Sequence, residues 1–309
     1  MFFQGMLNGI VSGSDLYMIL TGFLCCHKTP CRKFYYSGIK VLLSYVFFSI
    51  LTIVVNIYIF HTGMSWSQGI LGIFSFSTIP YAWYIEMWIG LFILAPFLNI
   101  WYKAIPTKNL KISLIVIIMA MTALPDFFNR YGMDIIPDYW EQIYPIGFYF
   151  CGSYIREYRP RVNRLLLLCI IIGITMISPS VTIISGHPTF LHIIGDRNGI
   201  FMAINALSIF LLFYSVELKH GFWSNVFQSI SLRSLDIFLC SAIMDVYLYP
   251  LFQRNFYENQ SQFGQYYFVI VPLIFIICYT IASIKRILFN LLDRILKAFN
   301  APFMLQSHA

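Results

Sequence analysis

Long apolar blocks separated by short polar stretches make up almost the whole chain, and their lengths predict membrane-crossing helices rather than a soluble core. At ~1.5 Å per residue, about twenty residues cross a ~30 Å hydrocarbon layer. Nine spans are expected on that measure: Ile10 to Cys26, Ile39 to Phe60, Tyr81 to Tyr102, Ile112 to Pro125, Tyr139 to Ile155, Leu165 to Ser185, Gly199 to Glu217, Ile230 to Phe252 and Tyr266 to Phe289. The fourth and fifth are short. Another apolar stretch, Gly69 to Pro80, is too short to cross and reads as an exterior or re-entrant segment. The third span has Tyr81, Trp83 and Tyr84 at one end and Trp101 and Tyr102 at the other, where amphipathic rings settle at the headgroup level.

Composition agrees, with 59% hydrophobic and only 11% charged residues and a mean hydropathy of +0.74. The expected fold is therefore an all-α polytopic bundle, forming one integral-membrane domain over residues 1–309. A net charge of +7 could point to nucleic acid, but the basic residues fall between apolar runs and form no basic face on a soluble fold, so no nucleic-acid partner is expected. They carry topology instead. Seventeen of the twenty lysines and arginines lie in alternate loops, with Arg130, Arg197 and Arg254 in the other set. Retention of Lys and Arg in the cytoplasm places the carboxyl terminus inside and, nine crossings away, the amino terminus outside. The seven cysteines lie within spans or on the basic side, which implies no disulfide framework. Cys25, Cys26, His27 and Cys31 match no common zinc spacing, and no metal is expected.

Acids inside the spans are the candidate chemistry, because each costs about 2.5–3.5 kcal/mol on insertion scales and needs a cavity, a partner or a substrate. Asp15 lies near an exterior boundary and reads as hydrated. Asp236 has Arg233 three residues before it, so a local pair is the simplest account. Asp245 follows Asp236 by nine residues, which puts the two on opposite faces unless the helix is irregular. Glu86 has no local cation, and is either a functional group or a structural hydrogen-bonding one. It is the candidate catalytic residue, and Trp83, Tyr84, Glu86 and Asp236 are candidate linings of a substrate pathway. In the exterior loops, Asp126, Asp134, Asp138 and Glu141 could suit a hydroxylated ligand. His187 and His192 accompany Asp196 and Arg197.

These residues resemble a known family. Gly13-Ser14-Asp15-Leu16-Tyr17, then Leu20-Thr21-Gly22-Phe23-Leu24 and the basic turn Arg32-Lys33-Phe34-Tyr35-Tyr36 with Lys40, look like the second helix and following loop of the integral-membrane acyltransferase-3 family. Ala82-Trp83-Tyr84-Ile85-Glu86 with Gly90, Leu94 and Pro96 to Asn99 resembles its aromatic-rich, proline-ended helix. Tyr144-Pro145-Ile146, Gly152 to Arg156 and Arg159-Pro160-Arg161 are similar to its glycine-containing helix and basic exit, and Ser234 to Leu239 to its late helix.

The resemblance implies a bundle of ten helices in a bacterial plasma membrane. Such a bundle takes an acyl group, usually acetyl, from cytoplasmic acyl-coenzyme A and delivers it to a hydroxyl of a cell-envelope polysaccharide or a lipid-linked sugar precursor. Arg32, Lys33 and Lys40 are then the expected cations for the coenzyme A diphosphate. The family's first helix, with an arginine and the histidine thought to be its base, has no counterpart before Asp15, and Ser241 stands where many relatives have a histidine. A truncated or inactive chain is the expectation that follows. Two other classes fit the composition: a polysaccharide flippase or small-molecule transporter, and a noncatalytic membrane scaffold.

Overall fold

The computed structural model describes residues 13–129, 136–185, 199–256 and 263–304. Among them there is no strand, and the chain is an all-α polytopic membrane protein. The helices are α1 (Gly13–Cys25), α2 (Arg32–Val54), α3 (Trp66–Phe74), α4 (Ala82–Ala104), α5 (Lys108–Asn129), α6 (Tyr144–Tyr158), α7 (Arg164–Ile184), α8 (Ile200–Phe213), α9 (Phe222–Ser231), α10 (Ser234–Ile243), α11 (Tyr249–Phe256) and α12 (Phe263–Met304). Two π-helical turns extend this set, Val55–Ile59 after α2 and Met244–Leu248 joining α10 to α11.

Among the described residues, five stretches are long and apolar enough to cross a membrane: Arg32–Ile59, Ala82–Ala104, Lys108–Pro125, Ser234–Phe256 and Gly264–Leu292. Gly13–Cys25, Arg164–Ile177 and Ile200–Phe213 are apolar but shorter. The expected fifth span, from Tyr139, is split instead. Asp138–Ile143 is a 3₁₀ turn, and only the fifteen residues of α6 are α-helical. Nine of those fifteen are buried, so α6 is surrounded by protein, which explains a sequence too polar and too short to read as a lipid-facing span. The stretch expected to be re-entrant is α3, opened by a capping box in which Ser65 and Gln68 satisfy each other's backbone N–H groups.

The chain divides into two compact units. Unit 1 comprises residues 1–39 and 86–217, and unit 2 residues 40–85 and 218–309. In unit 1, α1 lies against α6 at backbone distance. A Cβ on Gly22 would stand 2.0 Å from the Tyr149 carbonyl oxygen, and one on Gly152 1.9 Å from that of Ile19. Only glycine permits that approach, the small-residue contact that membrane helices use in place of a hydrophobic driving force. In unit 2, Gly69 of α3 lies over Ile53, and Tyr45 donates to the Ile73 carbonyl at 2.7 Å.

Candidate functional site

Unit 2 carries a cluster of polar groups inside apolar helices. Lys285, on α12, is buried at 6% exposure. Its Nζ donates to Asp236 Oδ1 on α10 at 2.7 Å and to the Ser44 hydroxyl on α2, both of them buried. The Phe289 ring lies 5.0 Å from the same ammonium. One turn beyond Asp236, Cys240 is fully buried, as is Cys278 on α12. At the next π turn, Tyr81 donates its hydroxyl to Asp245. The Tyr81 ring stacks on Phe238 at 5.1 Å, and Tyr84 meets Phe238 edge-on at 5.6 Å. Phe60, at the end of the other π turn, stacks on Tyr247 at 4.0 Å. Single π turns in helices recur at functional sites, and here the two meet through that ring pair.

Several expectations change. Asp236 pairs with Lys285 and not with Arg233. Arg233 is the N-cap of α10, outside the regular helix, so the three-residue spacing does not bring the two side chains together. It turns back instead to the carbonyl and hydroxyl of Ser229, at 2.8 and 2.7 Å. Lys285 was expected among the cytoplasmic loop charges, yet it lies within α12, as Lys111 lies against Glu157 at 2.8 Å within unit 1. Asp15 is fully buried and not hydrated, because α1 packs on both α6 and α8. The even turn from Asp236 does not continue through Asp245, since the π turn begins one residue before it. The two acids keep separate partners.

Of the expected pathway residues, Tyr84 and Asp236 come to the same helix, α10, and Trp83 packs edge-on against Tyr84 at 6.1 Å. Glu86 is exposed. Arg32, Lys33 and Lys40 are also exposed, and Arg32 is held by its own helix, donating to the Tyr36 hydroxyl at 2.9 Å. Of the acids expected outside, Asp138 accepts from Asn129, while the Asp126 side chain and Asp134, His187, His192, Asp196 and Arg197 lie outside the described residues. Ser241 donates to the Phe238 carbonyl at 2.9 Å, a helix-internal bond. Sequence reasoning missed Ser44 and Lys285. The available signal was that Lys285 interrupts an apolar run instead of following it.

The resemblance in the sequence can now be set beside a direct comparison. A family model described as an acyltransferase domain, acyltransferase 3, matches residues 11–283. The chain belongs to the acyltransferase-3 family. Neither the curated proteins nor the solved structures gave a match. The family match spans both units and takes in Ser44, Tyr81, Asp236 and Asp245, ending two residues before Lys285. For a membrane acyltransferase, a buried ammonium can polarise a carbonyl, and a carboxylate hydrogen-bonded to a phenol can receive a hydroxyl proton. Both kinds of group are present in unit 2.

Proposed function

We propose that this acyltransferase-3 protein moves an acyl group, acetyl in the first instance, from cytoplasmic acyl-coenzyme A to a hydroxyl of a cell-envelope polysaccharide or its lipid-linked precursor. The observation that carries the reading is the placing of charged and polar side chains within unit 2, Lys285, Asp236 and Ser44 in one cluster and Asp245 with Tyr81 in another, on helices otherwise apolar enough to span. Ionisable groups at that depth are expensive and mark substrate or proton routes. The rings of Tyr81, Tyr84 and Phe238 pack together beside Asp245, a kind of surface on which sugars settle. In the transfer, the sugar hydroxyl forms the new ester bond to the thioester carbonyl, the carbon–sulfur bond breaks, and the hydroxyl proton ends on the released thiol.

The test is acetylation of the envelope-sugar fraction in cells expressing the full chain, with radiolabelled acetyl-coenzyme A added to inverted membrane vesicles. Label should appear in the sugar fraction, and Asp245→Asn should lower it by roughly 10²-fold or more, the range for removing a positioned acid or base. Label that never leaves coenzyme A, in vesicles where the chain is correctly inserted, would refute acyl transfer by this chain.

A further inference from the structure

Unit 1 contains a cavity of about 1040 Å³ lined by Arg156, Arg159, Arg161 and Arg164, with Phe23 and Tyr214 in its wall and Glu217 as its one acid. The volume is at the upper end of the usual range for small-molecule sites. Four guanidinium groups against one carboxylate leave an excess of three positive charges facing one opening. Positive-inside retention accounts for arginines on this side of the membrane, but not for their convergence on a cavity.

The chain is built to hold them there. Helix α6 ends at Arg159, whose backbone is left-handed with φ 44°, a conformation uncommon for any residue but glycine. The Tyr214 hydroxyl donates to the Pro160 carbonyl at 2.7 Å, fixing the turn, and Asn163 caps α7 by accepting from the Leu165 N–H at 2.9 Å. The Arg156 guanidinium lies 4.9 Å over the Phe23 ring. Glu157, the other acid of this stretch, is occupied by Lys111. An unneutralised cluster of this kind repels itself, and an oligo-anion relieves the repulsion while meeting the fork geometry that guanidinium groups offer to phosphate.

We infer that this cavity binds the phosphate-bearing nucleotide end of the acyl donor, a 3′-phosphoadenosine diphosphate, with the arginines on its phosphates and the aromatic wall beside its base. The inference rests on the proposed use of acyl-coenzyme A, and it moves the donor site from Arg32, Lys33 and Lys40 to the turn between α6 and α7.

Calorimetric titration of the full chain in phosphatidylcholine nanodiscs tests it, with coenzyme A and phosphate-free pantetheine as probes. Coenzyme A should bind the wild type. Its affinity should fall about tenfold or more in Arg159→Gln/Arg161→Gln/Arg164→Gln, be partly kept in the corresponding triple Arg→Lys variant, and stay unchanged in Arg32→Gln/Lys33→Gln/Lys40→Gln. Pantetheine should bind weakly and alike in all four. If coenzyme A binds the wild type and the triple glutamine variant equally, the cavity is not the donor site, although the transfer reading stands. If the wild type binds no coenzyme A, both fail. Added phosphatidylglycerol vesicles are the third probe: loss of their association in the glutamine variant, with coenzyme A affinity intact, would assign the arginines to lipid headgroups and overturn the inference.

Discussion

Unit 1 and unit 2 differ in how their interior polar groups are used. In unit 1, where Asp15 and Lys111 are also buried, a network of neutral groups ties the helices together. Asn99 donates to the carbonyls of Cys25 and Lys28, at 2.7 and 2.8 Å, and accepts from Tyr149 at 2.7 Å, so it closes the end of α1 onto α4 and α6. The Ser153 hydroxyl is spent on the Tyr149 carbonyl at 3.0 Å, beside the glycine contact. No charge is needed for any of this. In unit 2 the interior groups include a full ion pair and a phenol–carboxylate pair, in helices that satisfy their own backbones. Packing does not require them there, because an apolar pair of the same volume is often as stable as a buried ion pair or more so. The difference separates a neutral network that serves packing from charged pairs that packing does not call for.

The largest test of that difference removes one member of the ion pair. Lys285→Met leaves Asp236 buried without its cation and should destabilise the chain by about 3–5 kcal/mol, seen as a lower Tm of the detergent-purified protein. The double variant Asp236→Leu/Lys285→Met should recover most of that stability while sugar acetylation stays lost. Recovery of both would make the pair structural and erase the contrast. The second test strikes unit 1. Gly22→Ala or Gly152→Ala pushes a methyl into a facing carbonyl and should cost roughly 1–3 kcal/mol or more. Gly90→Ala on α4, with nothing within 4 Å of its new Cβ, should be neutral or mildly stabilising. Equal effects at all three glycines would mean that α1 and α6 are not held at backbone contact.

A middle-sized effect is expected at Asn99. Asn99→Leu strands the Lys28 carbonyl, leaves the Cys25 carbonyl with only the Lys28 N–H and the Tyr149 hydroxyl with only the Ala95 carbonyl at 3.4 Å, and should cost about 1–3 kcal/mol, whereas Tyr149→Phe removes one short bond and that long one and should cost about 1 kcal/mol. Thermal melting compares the two, and a larger loss for Tyr149→Phe would contradict the shared network centred on Asn99.

How much of this was legible in the sequence differs between the units for a physical reason. Apolar blocks report lipid exposure, so α2, α4, α5 and α12 could be read from hydropathy, while α6, enclosed by protein, was read only as a short span begun five residues too early, at Tyr139. Gly22, Asn99 and Gly152 stood out as family-like residues, and their roles are backbone contacts that the residue type itself suggests, even though Asn99 and Cys25 are 74 residues apart. The site in unit 2 depends instead on which particular side chains meet, and residue type does not name the partner. Lys285 and Asp236 are 49 residues apart, and Lys285 and Ser44 are 241 apart. Spacing rules for one helix pointed Asp236 to Arg233 because they see only neighbours within a turn or so. The π turn at Asp245 left no composition signal, yet it breaks the even turn from Asp236 that a regular helix would keep.

The smallest expected effect falls on the acid that the sequence favoured most. Glu86 is exposed on α4 and makes no ion pair or hydrogen bond among the described residues, unlike Asp236 and Asp245, which are held by named partners. Substitution of an exposed side chain away from such features is generally within ±0.5 kcal/mol, so Glu86→Gln should leave the Tm unchanged. Removing its charge should also change sugar acetylation by no more than about twofold, because a group that serves as a base must be positioned against the hydroxyl to take up its proton. Running Glu86→Gln beside Asp245→Asn in the same vesicle assay makes the comparison direct, since both remove one carboxylate charge at nearly constant size. A tenfold or greater loss in Glu86→Gln with unchanged Tm, and little loss in Asp245→Asn, would move the chemistry out of the polar interior of unit 2 and onto α4.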